Sequence, residues 1–266
     1  MKKISLPLAL AGVFTATLAA RAQFAGTTVS YTPGSGVASG YTDSTSALGA
    51  PSQFTPGDYG GPVDPFNAAY LSSQIVGIGT GGSLTLQFNS PIQNNPNNPY
   101  GLDFIIFGHA GFNIINGDYT GGGITDGSFY AGGDNGVTVS VSADGVTFYT
   151  LNPALAPMVD GLFPTDGSGN PFLPVDPSLT ANSFDGLDLS QIRSLYAGSA
   201  GGAGFDLSWA VDGSGHSVAL SSVDYVRLDN TGNTAYIDAV ATVPEPTTSA
   251  LAIAGASLLW LKRRKK

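Results

Sequence analysis

Through the middle of the chain, apolar residues recur at every second position. Over 83–88, Leu84, Leu86 and Phe88 fall on one side, with Thr85 and Gln87 on the other. Val137, Val139 and Val141 alternate with Thr138 and Ser140, and Phe205, Leu207, Trp209 and Val211 alternate with Asp206, Ser208 and Ala210. A period of two places successive side chains on opposite faces, which predicts half-buried strands. The run 102–107 is almost continuously apolar and predicts a central strand covered on both faces. Further strands are expected at 148–151, 223–228 and 236–243. One short helix is expected at 189–196, with Asp188 or Ser190 as its cap. Ala143-Asp144-Gly145 predicts a hairpin turn, and Asp212-Gly213-Ser214-Gly215 and 229–233 predict loops. Two longer segments, 115–135 and 153–185, are rich in Gly, Pro, Asp and Asn and read as surface excursions. No fixed internal period appears, which argues against a solenoid or propeller. The expected fold is all-β, a two-sheet antiparallel sandwich.

Composition narrows this picture. The chain has 266 residues, of which 42% are hydrophobic and only 11% charged, with 37 Gly and 17 Pro. A soluble helical bundle would carry about twice that charge. Cysteine is absent, which removes disulfides, thiolate zinc sites and cysteine nucleophiles. Eight of the ten basic residues lie in the first 21 or last five positions. Between Gln23 and Val243 only Arg193 and Arg227 face eighteen Asp and no Glu, a net charge of −16. Nucleic acid and anionic lipid are therefore excluded as partners of this part.

The two ends read as addresses. Lys2-Lys3, an apolar run over 4–20 and Ala20-Arg21-Ala22 have the order of a secretory signal peptide, residues 1–22. At the other end, Val243-Pro244-Glu245-Pro246 precedes an uncharged stretch, 247–261, and then Lys262-Arg263-Arg264-Lys265-Lys266. Fifteen helical residues span about 22 Å, less than the roughly 30 Å hydrocarbon core, so membrane insertion is expected to be transient. The basic cluster places the tail in the cytoplasm and the domain outside. This order resembles the PEP-CTERM sorting signal of Gram-negative bacteria. The resemblance implies that Pro244, Glu245 and Pro246 are recognised by an exosortase-type processing enzyme. It divides the chain into a signal peptide (1–22), an extracellular domain (23–243) and a sorting and anchor segment (244–266). The implied destination is the envelope, at the cell surface or in the extracellular matrix.

A second resemblance lies within the domain. Its pieces are Gly79-Thr80-Gly81-Gly82-Ser83-Leu84, then Gly101-Leu102-Asp103-Phe104-Ile105-Ile106-Phe107-Gly108, and Gly204-Phe205-Asp206-Leu207-Ser208-Trp209. Val223-Asp224-Tyr225-Val226-Arg227-Leu228 and Ile237-Asp238-Ala239-Val240 complete the order. It is similar to the galactose-binding-like jelly rolls that accompany such tails. The resemblance implies a jelly-roll sandwich acting in exopolysaccharide or biofilm, and calcium as a structural ion near one edge.

Candidate chemistry is sparse. His109 and His216 are the only histidines, Glu245 is the only glutamate, and no G-x-S-x-G elbow occurs, so no catalytic residue is assigned. The G-x-G-x-x-G at 77–82 precedes a strand, where no helix N-terminus is offered to a phosphate. The aspartates read first as turn formers, because their short side chains bond to nearby backbone. The competing reading is calcium, with Asp126, Asp134, Asp166 and Asn170 as the candidate ligands. Tyr119, Phe129 and Tyr130, in a polar Gly-rich loop, form a candidate ligand patch, whereas Trp209 reads as core and the two arginines as partners of nearby Asp. The expected function is that of a non-enzymatic, structural or adhesive surface protein in extracellular polysaccharide. A calcium-stabilised carbohydrate-binding module is the alternative, and a polysaccharide hydrolase a third reading.

Overall fold

A computed structural model describes residues 22–58, 60–132 and 136–244. The signal peptide up to residue 21, Glu245, Pro246 and the rest of the tail lie outside the described residues, as does Asp134.

Two main antiparallel sheets, of six and four strands, make up the body. In chain order their strands begin with β1 (Thr27–Thr32), β2 (Val76–Ile78), β3 (Ser83–Gln93), β4 (Phe104–Gly108) and β5 (Val137–Ser142). They continue with β6 (Tyr149–Leu151), β7 (Ala203–Phe205), β8 (Ala210–Val211), β9 (Ser222–Asn230) and β10 (Ala235–Thr242). The six-stranded sheet runs β1-β3-β9-β5-β6-β8 and the four-stranded sheet β7-β4-β10-β2. Period-two alternation explains their association. Leu84, Leu86, Val139, Val141, Val226 and Leu228 of the larger sheet form one buried cluster with Ile78, Phe104, Ile106, Phe205 and Val240 of the smaller. Each large side chain removed from water contributes about 1.5–3 kcal/mol before chain entropy is counted. The result is a β-sandwich-like body.

The smaller sheet is covered on its other face too. Ile105, Phe107, Ala239 and Ala241 pack there with Ala200 and Val243, beneath Phe24 and Phe172. The run expected to be central is therefore buried throughout, from Phe104 to Phe107. The residues just after the signal peptide lace the two sheets together. Thr242 donates its N–H to the Gln23 carbonyl, Ala25 to that of Val240 and Gly26 to that of Gln87, each at 2.9 Å.

One strand expectation needs correction. The alternating run 205–211 is not a single strand: Phe205 ends β7 in the smaller sheet, Leu207–Trp209 forms a 3-10 turn, and β8 joins the edge of the larger sheet. Asp206 forces the break by accepting the Ser208 N–H at 2.7 Å. Phe205 and Leu207 keep the alternation into the shared core, but past the turn it is Ala210 that is buried, while Trp209 and Val211 are half-buried. The turn at 143–145 does join an antiparallel pair, β5 and β6, with Asp144 accepting the Val146 and Thr147 N–H groups at 2.8 Å each. Loop 77–82 needs its glycines for close packing, since a Cβ on Gly79 would sit 2.1 Å from the Ser35 carbonyl oxygen.

The long excursions fold against each other. Ile124–Thr125 pairs with Leu187–Asp188, and Gly111–Phe112 pairs with Phe129–Ala131. Helix α1 (Leu189–Tyr196) follows, with a reciprocal cap in which Asp188 accepts the Gln191 N–H and Gln191 Oε1 accepts that of Asp188, both at 2.9 Å. Phe112, Phe163, Val175, Phe184, Ile192 and Tyr196 form a separate small core beneath them. Asp188→Ala is expected to destabilise the fold by about 1 kcal/mol, seen as a lower urea midpoint at unchanged slope.

This arrangement sets where the first excursion leaves the sheet. β4 is antiparallel to β10, with Phe104 opposite Thr242 and Gly108 opposite Ile237. The segment that leaves Gly108 thus departs from the end of the sheet remote from Val243 and Pro244.

Candidate ligand groove

An open groove of about 520 Å³ lies among the excursions. One wall is the turn at 64–67. Asp64 Oδ1 accepts the Phe66 N–H at 2.8 Å, and the Asn67 amide donates to the Pro62 carbonyl at 2.8 Å. The turn is tied to the neighbouring strand by the Phe112 N–H, which donates to the Pro65 carbonyl at 2.8 Å. The opposite wall comes from 114–123, where Asn116 Nδ2 donates to the Gly122 carbonyl at 2.8 Å. Asp118 Oδ1 accepts both the hydroxyl of Thr120, at 2.6 Å, and its N–H, at 2.8 Å. This bonded loop presents the Tyr119 ring 77% exposed. Leu189, the first residue of α1, closes one side.

The groove is acidic. The Thr120 hydroxyl and N–H hold the Asp118 carboxyl below its ordinary value. Burial raises that of Asp64, against the opposing Phe66 N–H bond and the charge of Arg193. Among the described residues no Lys or Arg lines the groove. An exposed flat ring beside two carboxyls and one amide can stack on the C–H face of a pyranose and bond its hydroxyls, the mixture of apolar surface and few polar groups common to small-ligand sites.

The three aromatics of the candidate patch are divided. Tyr119 lines the groove. The Phe129 ring stacks on Phe112 at 5.3 Å between centroids and packs against the small core. Tyr130, although half-exposed, anchors the groove wall. Its hydroxyl oxygen accepts the Ala68 N–H at 2.9 Å, and its ring lies so close to Gly111 that a Cβ there would be 2.5 Å away.

The three candidate calcium ligands among the described residues each have a local partner. Asp126 Oδ1 accepts the Ser128 N–H at 2.9 Å, and Asn170 Oδ1 accepts the Phe172 N–H at 3.0 Å. Asp166 is buried and receives Arg193 on both oxygens, at 2.7 and 3.1 Å. A guanidinium thus supplies the positive charge that Asp166 requires. Among the described residues no group of three or more His, Cys, Asp or Glu converges on a metal position. The aspartates behave as turn formers: nine of those described, Asp126 and Asp166 among them, accept an N–H two residues onward.

Sequence reasoning overlooked Asp64, Phe66 and Asn67, whose only local signal is a turn-prone Asp-Pro-Phe-Asn. It also missed the pairing of His109 with Asp160. The fully buried Asp160 accepts the His109 backbone N–H at 2.8 Å and meets its ring Nδ1 at 2.6 Å. The Tyr236 N–H donates to the same carboxylate at 3.3 Å, and the Tyr236 ring meets the imidazole edge-on at 4.7 Å. A carboxylate can orient an imidazole for proton transfer, but among the described residues no hydroxyl bonds to its second nitrogen. The pair joins the end of β4 to the start of β10. No protein-family model matches the chain, and no curated protein matches its sequence.

Proposed function

We propose that this is an exported, non-enzymatic surface protein that adheres to extracellular polysaccharide through the groove beside Tyr119. In this reading a signal peptide exports the chain, and the PEP-CTERM tail beginning at Pro244-Glu245-Pro246 is processed by an exosortase-type enzyme at the membrane. The sandwich is a galactose-binding-like jelly roll that serves as a rigid platform. The observation that carries the reading is the exposed Tyr119 ring, held on a bonded loop across from Asp64 and Asn67. A ring kept out in water by fixed loop geometry gains contact only when a flat apolar surface covers it. The first excursion leaves the smaller sheet from the end remote from Val243 and Pro244, which supports it as well: a tethered domain would present the groove outward.

Charge narrows the ligand. A domain with a net charge of −16 repels uronate- or phosphate-rich polymers, which leaves neutral or amine-bearing sugars. One stacked ring and a few hydrogen bonds give weak binding per site, which multivalent display on a matrix would amplify. Affinity electrophoresis and calorimetry against neutral exopolysaccharide test this. Tyr119→Ala is expected to weaken binding about tenfold, the worth of one aromatic stack, while Tyr119→Phe retains most of it. Undiminished binding by Tyr119→Ala would remove the groove from the proposal. Failure of the native protein to bind any glycan would leave a purely structural matrix protein.

A further inference from the structure

The polar side chains that line the groove offer mainly acceptors. Asp64 on one wall and Asp118 on the other are half-buried, and each commits one carboxyl oxygen to its own turn. An ionised carboxylate has about four acceptor sites and no donor, so both keep capacity to spare. Asn67 commits an amide hydrogen to the Pro62 carbonyl, which fixes its orientation, and its oxygen takes no bond among the described residues. Between these acceptors the Tyr119 ring stands in water, and the half-buried Phe66 ring lines the same groove.

The charge is not compensated either. Among the described residues Arg193 is the cation that acts on Asp64, and Asp166 already holds it with both carboxyl oxygens. Asp166 brings a negative charge of its own to Asp64, so two carboxylates share one guanidinium. The nearby Tyr130 hydroxyl is tied to the Ala68 N–H and the Phe66 carbonyl. Across the groove Asp118 has only hydroxyl and N–H partners. Half-buried carboxylates are screened less by salt and water than fully exposed ones, which leaves the groove short of a positive charge.

We propose that the groove beside Tyr119 selects sugars that carry a free ammonium group, as in a deacetylated amino-hexose polymer. The inference rests on the reading of this groove as a glycan site and narrows its ligand to one of the two classes left open there. An ammonium has three N–H donors and no acceptor, the complement of Asp64, Asp118 and the Asn67 oxygen. The electron-rich face of Tyr119 attracts the cation as well as the pyranose C–H groups. N-acetylation removes the charge and sets a carbonyl, itself an acceptor, where the carboxylates need a donor. A neutral hydroxyl supplies one donor and no charge, so it forms the weaker bond.

The test is calorimetry of the purified full chain with a glucosamine tetramer and with its fully N-acetylated counterpart, at about pH 6, above the ordinary carboxylate range. The amine tetramer is expected to bind at least about tenfold tighter in about 50 mM salt, a preference that shrinks to about threefold in about 500 mM salt. Asp64→Asn/Asp118→Asn keeps the oxygens that accept the turn N–H groups and should bring the preference close to parity. Asp144→Asn/Asp212→Asn removes the same charge from two turns outside the groove and should keep it. A capped tetralysine, with four charges and no pyranose face, should bind at least about tenfold more weakly than the amine tetramer. Equal affinity for the two tetramers overturns the selectivity and leaves the groove a neutral-sugar site, whereas binding of neither takes the glycan reading down with it. A preference that survives in Asp64→Asn/Asp118→Asn, or one that Asp144→Asn/Asp212→Asn abolishes equally, overturns it too. So does tetralysine binding as tightly as the amine tetramer, because the attraction is then the diffuse charge of an acidic domain.

Discussion

Replacing Arg193 by Met is expected to destabilise the protein by about 2–4 kcal/mol, among the largest effects of any single surface-reaching substitution in this domain. Asp166 is 2% exposed at its side chain and takes both Arg193 nitrogens, whereas Arg193 itself is 41% exposed. Removing one partner of a fully buried pair costs about 3–5 kcal/mol, because the other charge is left dry and unpaired. Solvent access around Arg193 reduces that figure, which sets the lower bound of the range. Asp64 worsens the loss, since its charge acts on the same pair. The cause is the stranded carboxylate, so the double variant Asp166→Asn/Arg193→Met should recover at least half of the lost stability. Urea denaturation of the three variants decides this. A double variant no more stable than Arg193→Met would place the effect in lost packing of the arginine stem instead. The pair also fixes a pH dependence. Burial raises the Asp166 carboxyl, but the Arg193 and Ser168 bonds outweigh it and hold the group below its ordinary value. Its contribution is therefore present above the unfolded pKa of about 3.9 and is lost as pH falls through the lower, folded value.

Such pairs also mark where sequence reasoning stops. The strands at 83–88 and 137–141 were legible because each buries one face and so writes its period into the chain. Helix α1 was legible from its cap, because Asp188 and Gln191 satisfy each other within four residues. Alternation says nothing about which sheet a residue joins, so 205–211 read as one strand although Asp206 passes it from one sheet to the other. The small core of Phe112, Phe163, Phe184 and Tyr196 draws its rings from separate, unevenly spaced segments and has no period to detect. The same limit separates Tyr119 from Tyr130. Both are tyrosines in one polar loop, and only contacts with the distant Ala68 and Gly111 turn Tyr130 into an anchor. Asp166 and Arg193 are 27 positions apart and meet only because α1 docks over the second excursion.

Stability should fall as the pH rises from about 4 to about 7, and Asp238→Asn should remove much of that fall. Asp238 lies inside β10, 2% exposed, where its Oδ2 accepts the Ser52 N–H at 2.8 Å and its Oδ1 the Ser52 hydroxyl at 3.0 Å. Burial outweighs both bonds and pushes the carboxyl up to about 7. The folded pKa thus lies above the unfolded value of about 3.9, so between the two the folded state binds more protons than the unfolded one. Stability decreases across that window and this contribution levels off above pH 7. Three pH units correspond to roughly 4 kcal/mol at most for a single group. The net negative charge acts in the same direction, since ionising each further aspartate adds self-repulsion. Exposed turn aspartates such as Asp43, Asp144 and Asp212, held low by their own turn bonds, act the other way but only at pH values below their unfolded pKa. The optimum is therefore expected near pH 4–5. The carboxamide of Asp238→Asn still accepts the Ser52 N–H and never ionises, so this variant should match the native protein at pH 4.5 and exceed it at pH 8. Melting midpoints in chelated buffer across that range provide the measurement. A native midpoint that climbs steadily from pH 5 to 8, or a variant with an unchanged slope, would mean that Asp238 is ionised within the sheet and is neutralised by a group not facing it here.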